Sequence, residues 1–410
     1  MSRAEDYELR SVGLEEVEAF LLAAMEAFQA EPHQEDVALF RRFIEPERTL
    51  AGYLDGAIVA TSALLSLRLA VPGAVIPIAG VSVVGVQPVH RRRGLLDRMM
   101  RGHLNAIRER GDEAVSALWA SEAGIYRRWG FGSATRIAEL TVRSAEARLW
   151  AGAPDGRPRA GTPQDLLADM RAAYELILPT RPGLLARGDP AWQERISDFE
   201  HDREGAGRLR ALVADGPDGP AGYALFAVRK RDSESRPDDV VELRELMAAT
   251  PDATAVLWEH LLRLALTRTV QWHVAAEDDP LVHMLTDARA VASRVSDALY
   301  IRLVDVPRAL AARTYSAPVD VVLAVDDPVC PWNTGRWRLA GDPTGATCER
   351  TEAAADLELT ATELGAAFLG GTTLTVLAAA GRVRERTLGA LIAAARAFKA
   401  AREPWCPEEF

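Results

Sequence analysis

Apolar and polar residues follow two different periods along the first third of the chain. In "LEEVEAFLLAAMEAF" (14–28) apolar positions recur every three to four residues, which predicts an amphipathic helix. "LAGYLDGAIVATSALL" (50–65) and "VIPIAGVSVVGV" (75–86) are strand-like runs set off by Gly and Pro. A second helix is expected from about Gly94. There Leu96, Met99, Met100, His103 and Ile107 share one face, and Asp97, Arg98, Arg101 and Arg108 the other. "VSALWA" (115–120) predicts a strand and "AGIYRRWG" (123–130) a short helix that closes a first mixed α/β unit.

The Gly-, Pro- and Ala-rich stretch "WAGAPDGRPRAGTPQD" (150–165) marks a domain edge. Beyond it "GYALFAVR" and "VVELRELMAA" predict strands, "ATAVLWEHLLRLALTRT" a helix, "VQWHVAAE" a strand and "PLVHMLTDARA" a helix. This order repeats that of the first unit, as a degenerate duplication would. From about residue 307, "VDVVLAVDD", "GRWRLAG" and "DLELTATELGAAFLGG" alternate like strands, and "TLGALIAAARAFKAAREP" reads as a helix. The tail "EPWCPEEF" cannot be helical through Pro404 and Pro407. The expected domains are 1–145, 146–306 and 307–410.

Composition narrows the function classes. The 48% hydrophobic and 26% charged content is that of a soluble globular protein. There is no run of about 18 apolar residues, and "MSRAEDYELR" lacks the apolar core of a secretory signal, so no membrane partner and a cytoplasmic location are expected. A formal net charge of -11 argues against nucleic acid and favours a cationic partner. Cys330, Cys348 and Cys406 show no CxxC spacing and the seven histidines are scattered, so no metal is expected.

Against this acidic background stands "QPVHRRRG" (87–94), between a strand and a helix. A helix N-terminus offers unpaired N–H groups and a partial positive charge, so it takes up phosphates readily. Gly94 would let a pyrophosphate approach, Arg92 and Arg93 could add charge-assisted bonds, and Pro88 would end the strand. The arginines alone read equally well as a solvated helix start. The second unit has "ATPDAT" in the same place, with neither arginine nor glycine, so only the first unit is expected to hold an anion.

Arg91-Arg92-Arg93-Gly94-Leu95-Leu96 resembles the coenzyme A signature of the GCN5-related N-acetyltransferases, with Leu96 where a small residue is usual. "HRRRGLL", "SEAGIYRRWGFG", the three-part layout and a last residue Phe410 resemble, over essentially the whole chain, the enhanced intracellular survival family of that superfamily. The resemblance implies an α/β and α+β fold: two tandem acetyltransferase-like domains, then a sterol-carrier-protein-like domain, assembled as a homohexamer. It also implies acetyl-CoA as co-substrate and multi-amine acceptors such as aminoglycosides. By the same resemblance, coenzyme contacts fall on Val84, Gly85 and Val86, on Arg92, Arg93, Gly94, Leu95, Leu96 and Asp97, and on Ser121 and Glu122.

Acetyl transfer to an amine needs a proton donor for the departing thiolate and a proton acceptor for the nitrogen. The resemblance assigns these to Tyr126 and to the α-carboxylate of Phe410. By residue type alone, Tyr126 would be a core ring beside Trp129 and Phe131, and "PWCPEEF" a frayed end. An α-carboxyl titrates near 3.3–3.7 and an alkyl amine near 10.4, so direct deprotonation of an ammonium would cost about 9 kcal/mol. The carboxylate would therefore work through water, on neutral amine, or late in bond formation. Glu26, Glu408 and Glu409 are candidates to line an acidic cleft for a cation, and equally ordinary surface carboxylates. Rival readings are a polyamine or protein-lysine acetyltransferase, and a hydrophobic-ligand binder built on "LGAAFLGGTTLTVLAAAG".

Overall fold

The computed structural model describes residues 7–154, 156–231 and 238–410; the charged segment 1–6 and Asp155 of the Gly/Pro-rich stretch lie outside them. The first part contains β1 (Glu8–Arg10), α1 (Val17–Phe28), α2 (Gln34–Phe40), β2 (Thr49–Leu54), β3 (Ala57–Val71), β4 (Ala74–Val86), α3 (Leu95–Arg110), β5 (Val115–Trp119), α4 (Ala123–Tyr126) and β6 (Gly132–Ser133). There follow β7 (Arg136–Arg143), β8 (Arg159–Gly161), α5 (Leu167–Ile177), α6 (Asp189–Arg195), β9 (Arg210–Gly216), β10 (Gly219–Arg229), β11 (Asp239–Ala248), α7 (Pro251–Leu262), β12 (Thr267–Ala276), α8 (Leu281–Met284), β13 (Val291–Asp297) and β14 (Leu299–Leu303). The last part holds α9 (Val306–Ala311), β15 (Val319–Asp326), β16 (Gly335–Asp342), β17 (Gly345–Arg350), β18 (Leu357–Thr360), α10 (Ala361–Ala367), α11 (Leu374–Ala379), β19 (Arg384–Glu385) and α12 (Ala390–Phe398).

Three sheets form, in the orders β1-β2-β3-β4-β5-β14-β6, β13-β7-β12-β11-β10-β9-β8 and β17-β16-β15-β18-β19. Local turn chemistry builds the first. Asp55 and Gly56 both have positive φ, as a type I′ hairpin turn requires, and between β3 and β4 Gly73 alone takes positive φ, after Pro72. The duplicated order is present: β10, β11, α7, β12 and α8 follow the succession of β3, β4, α3, β5 and α4.

The sheets do not divide where the sequence pattern does. β7, from within 1–145, pairs with β12 and β13 of the second sheet, and β14, from within 146–306, lies between β5 and β6 of the first. Each half thus lends the other a strand, and periodicity cannot reveal which sheet a strand joins. A buried ion pair continues the locking. Arg302 on β14 donates two bonds of 2.8 and 2.6 Å to the Asp327 carboxylate just after β15, with both side chains almost fully buried.

In the third domain the strand-like run 356–371 is only partly strand. After β18, Thr360 and Glu363 form a capping box that starts α10. Small residues on α10 let it press on the first sheet: a methyl group on Gly365 would overlap the Ile301 carbonyl, and one on Gly132 would overlap that of Thr362. The final helix is confined to Ala390–Phe398, behind Gly389 at φ +92°. Leu364, Phe368, Leu369, Leu374 and Leu377, from the stretch offered as a ligand-pocket lining, are core residues shared with β15 and β18. No helix among the described residues is long and apolar enough to cross a membrane.

Candidate active site

β4 and β5 run parallel but pair only at Ala79↔Ser116 and Gly80↔Ala117. Beyond Gly80 the strands part and leave a slot. On its other edge β4 carries an extra residue against β3, where the register steps between Thr61↔Gly85 and Ala63↔Ser82. Val83 takes up this bulge at φ +47°, held by a 2.8 Å bond from the Thr61 hydroxyl to its carbonyl. Gly85 lets α1 cross here, since a Cβ would come 2.8 Å from that of Ala27. Val84, Gly85 and Val86 therefore lie on an irregular strand end beside the slot, where backbone polar groups leave the ladder.

The next turn leads into α3. Arg92 and Gly94 have φ of +61° and +82°, and no side chain caps the helix. The first-turn N–H groups are thus left for a ligand, as a diphosphate requires. The three arginines divide the work. Arg91 Nε donates to the Val86 carbonyl at 3.1 Å, and Arg93 donates to the Tyr7 hydroxyl at 2.9 Å and the Val89 carbonyl at 3.1 Å. Both brace the loop, while Arg92 is exposed. Leu95 is buried with Tyr7, Val59 and Met99, and Leu96 packs beside them. Asp97 accepts from the Trp129 indole and from Arg101, each at 2.9 Å. Burial alone would raise its pKa, but these donors outweigh it and hold the carboxyl below its usual range. Asp97 is thus a strut between α3 and the segment after α4.

Ser121 and Glu122 are exposed where β5 ends, and Glu122 precedes α4. Tyr126 follows at its last position, 7% exposed, with ring centroids 6.1 Å from Trp129 and 6.3 Å from Phe131. Burial, and then the Glu122 carboxylate, push its phenol pKa up. Both keep the proton on oxygen at neutral pH. No described residue hydrogen-bonds this hydroxyl.

Phe410 is brought to the same slot from the far end of the chain. Its ring lies on Gly80, the last residue of β4 paired with β5, where a Cβ would stand 2.9 Å from the Phe410 ring and 2.5 Å from Leu67. Next to it a cleft of about 550 Å³ opens between Trp119 at the tip of β5, the face of the second sheet around Glu242, Arg244 and His273, and the tail at Pro407 and Glu409. Six carboxylates and four guanidinium groups line it. Sequence reasoning named only Glu409 among them. Glu194, Asp198 and Glu242 carry no local signal, because the sheet and α6 bring them together.

The other two candidate carboxylates have different settings. Glu26, on α1, is exposed and accepts from the Gln87 amide at 3.0 Å, beside the end of β4. Glu408 is not a surface group facing a cleft. It is 9% exposed and accepts from Arg187 Nε at 2.7 Å, within a cluster that includes Glu245. A carboxylate neutralised in this way is not available to attract a cation. Among the described residues, the one grouping with metal-ligand geometry is Asp36, His201 and Asp202, of which Asp202 also lines the cleft.

Acetyltransferase (GNAT) domain models match residues 8–134 and 183–303, and a sterol carrier protein domain model matches 306–407. The chain is 36% identical over 376 residues to N-acetyltransferase Eis of Mycobacterium tuberculosis, covering 85% of this chain and 89% of the relative. An uncharacterised N-acetyltransferase of Streptomyces coelicolor is 41% identical over 412 residues, 98% of this chain and 99% of that one. The crystal structure of Eis1 from Mycobacterium abscessus superposes with a TM-score of 0.83 at 30% identity, covering 98% of this chain and 100% of the other. With two GNAT domains, a sterol-carrier-like domain and this identity along nearly its whole length, the chain is an acetyl-CoA-dependent N-acetyltransferase and belongs to the Eis family of the GCN5-related superfamily.

Proposed function

We propose that the protein acetylates amines of cationic, multi-amine small molecules, aminoglycosides among them, with Tyr126 as acid and the Phe410 α-carboxylate as base. The observation that carries this reading is the seat of the Phe410 ring on Gly80, where β4 and β5 part, with Tyr126 on the helix that follows β5. Acetyl-CoA supplies the activated acetyl group as a thioester. The chain's uncapped α3 and Arg92 suit its diphosphate, and the slot beyond Gly80 suits an extended arm. Val84, Gly85, Val86, Gly94, Leu95, Leu96, Ser121 and Glu122 border that path, with Arg93 and Asp97 bracing it.

Tyr126 holds a proton that burial keeps on its oxygen, so it can deliver it to a departing thiolate. The Phe410 carboxylate takes up the amine proton through water or from an amine that arrives neutral. Excess negative charge in the cleft, with Glu409 at its edge and Glu26 across β4, draws in a polycation. The same reading has the protein act in the cytoplasm as a homohexamer, for which light scattering should return about six times 44.5 kDa.

The test is thiol release from acetyl-CoA with a panel of aminoglycosides, linear polyamines and lysine peptides. Aminoglycosides should turn over fastest and at more than one amine. Appending one alanine after Phe410 should abolish turnover and leave acetyl-CoA affinity intact. Full activity of the extended chain would refute the base assignment. Faster turnover of polyamines or lysine peptides would refute the substrate class.

A further inference from the structure

The second domain keeps the architecture of a cofactor slot without the means to hold a diphosphate. β11 and β12 run parallel and pair from Asp239↔Thr267 to Leu243↔Trp272, then part, as β4 and β5 do. At the helix that follows, the anion site is closed. Thr250 Oγ1 accepts from the Ala253 N–H at 3.2 Å and Pro251 occupies the first turn, so one donor is satisfied and another is missing.

The slot is filled by the chain's own tail. The Trp405 indole N–H donates to the Val274 carbonyl at 2.9 Å, beyond the point where β12 leaves β11, and its ring meets Trp272 edge-on at 5.9 Å. Its backbone N–H donates to the Pro182 carbonyl at 2.9 Å. Gly183, at φ +99°, makes room, because a Cβ there would lie 2.6 Å from the Trp405 carbonyl oxygen. Only about 40 Å³ remains open beside Trp405, between Met247, Thr254 and Ala276.

Three residues on, Glu408 enters a buried ionic cluster. Arg187 Nε donates to it at 2.7 Å, while the two Nη atoms of Arg187 donate to the Glu245 carboxylate at 2.8 and 2.7 Å. Tyr174 donates to Glu408 at 3.4 Å, Tyr223 donates to Glu245, and Arg195 reaches both Glu245 and the Pro407 carbonyl. Two guanidiniums and two carboxylates balance there. Burying such a cluster gains little stability over apolar packing, so its value lies in fixing one register.

We propose that the strand-parted slot of the second domain is a receptor for this chain's C-terminal segment, with Arg187, Glu245, Trp405 and Glu408 as positioning residues that set Phe410 against the first domain. Two residues separate Glu408 from the terminus, a reach of at most about 7 Å, so a fixed Glu408 confines the terminal carboxylate. The consequence for activity rests on the reading of that carboxylate as the base, whereas the seating of the tail does not.

The test uses full-length Glu408→Gln, which keeps size and shape, and Trp405→Phe, which keeps an aromatic ring but removes the indole N–H donated to Val274, with three readouts: release of Phe410 by carboxypeptidase A, kcat, and the acetyl-CoA Kd. Wild type should release Phe410 slowly. Both variants should release it at least tenfold faster and lose at least tenfold in kcat, with the acetyl-CoA Kd within twofold of wild type. Unchanged release in both variants overturns the inference, whatever happens to kcat. So does an acetyl-CoA Kd that weakens in parallel, since the slot of the first domain would then be what had changed. Faster release with kcat retained upholds the seat and refutes the terminal carboxylate as base.

Discussion

Gly80→Ala isolates the contact on which the active-site reading depends. The added methyl group would sit 2.9 Å from the Phe410 ring and 2.5 Å from Leu67, whereas ordinary contact starts near 3.4 Å. The Phe410 ring must therefore yield by about half an ångström, and Leu67 by more. Overpacking of this kind costs about 1–3 kcal/mol of stability. A displacement of about 1 Å in a reacting group can cost about a hundredfold in rate, so about a tenfold loss of kcat is expected here. Stopped-flow thiol release gives kcat, calorimetry the acetyl-CoA Kd, and a thermal melt the stability. The double variant Leu67→Ala/Gly80→Ala relieves the nearer clash and leaves the one with Phe410. It should keep the tenfold loss in kcat with acetyl-CoA affinity unchanged. Normal kcat in the double variant would refute the idea that Phe410 is poised on Gly80 for catalysis.

Gly94→Ala forces a side chain into φ +82°, at a cost of about 1 kcal/mol, and should weaken acetyl-CoA binding about tenfold by calorimetry. Tyr126→Phe should lower kcat by about 10²–10⁴ with unchanged acetyl-CoA Kd. Since burial and then Glu122 push the phenol pKa up, a descending kcat limb near neutral pH should persist in this variant, and its disappearance would show that Tyr126 itself loses its proton there, against the raised pKa. His103 is buried against Ser62 Oγ at 2.7 Å, and burial, then Arg48, lower its pKa to about 3 from 6.5. It folds neutral, while the unfolded chain binds a proton below pH 6.5. Its contribution is present above pH 6.5 and fades as pH falls toward 3, by about 2 kcal/mol at pH 5. Urea unfolding of His103→Gln at pH 7 and pH 5 should show a smaller acid loss than wild type.

Much of the first domain is legible in the sequence because its signals are local. The amphipathic face of α3 and the glycine before it follow from neighbours within a few residues, while the strand-like run 50–65 is split by the turn at Asp55-Gly56 into β2 and β3. Resemblance supplied Tyr126 and Phe410, whose residue types alone favour a core ring and a loose end. The run after Leu357 reads as alternating strand, yet Thr360 and Glu363 hold the capping signal that turns it into α10.

The chain's own letters determined an uncapped, glycine-started helix after an apolar strand, an acidic balance, and a second unit stripped of arginine at the matching turn. Tertiary structure alone decided that β7 and β14 change sheets, that Glu408 pairs with Arg187, which Glu245 shares, and that Phe410 comes to rest on Gly80. The physical reason is range. Turns and helix starts are set by interactions a few residues apart, whereas the buried charge pairs of Arg187 bring together residues 58 and 221 positions apart, which no local pattern records.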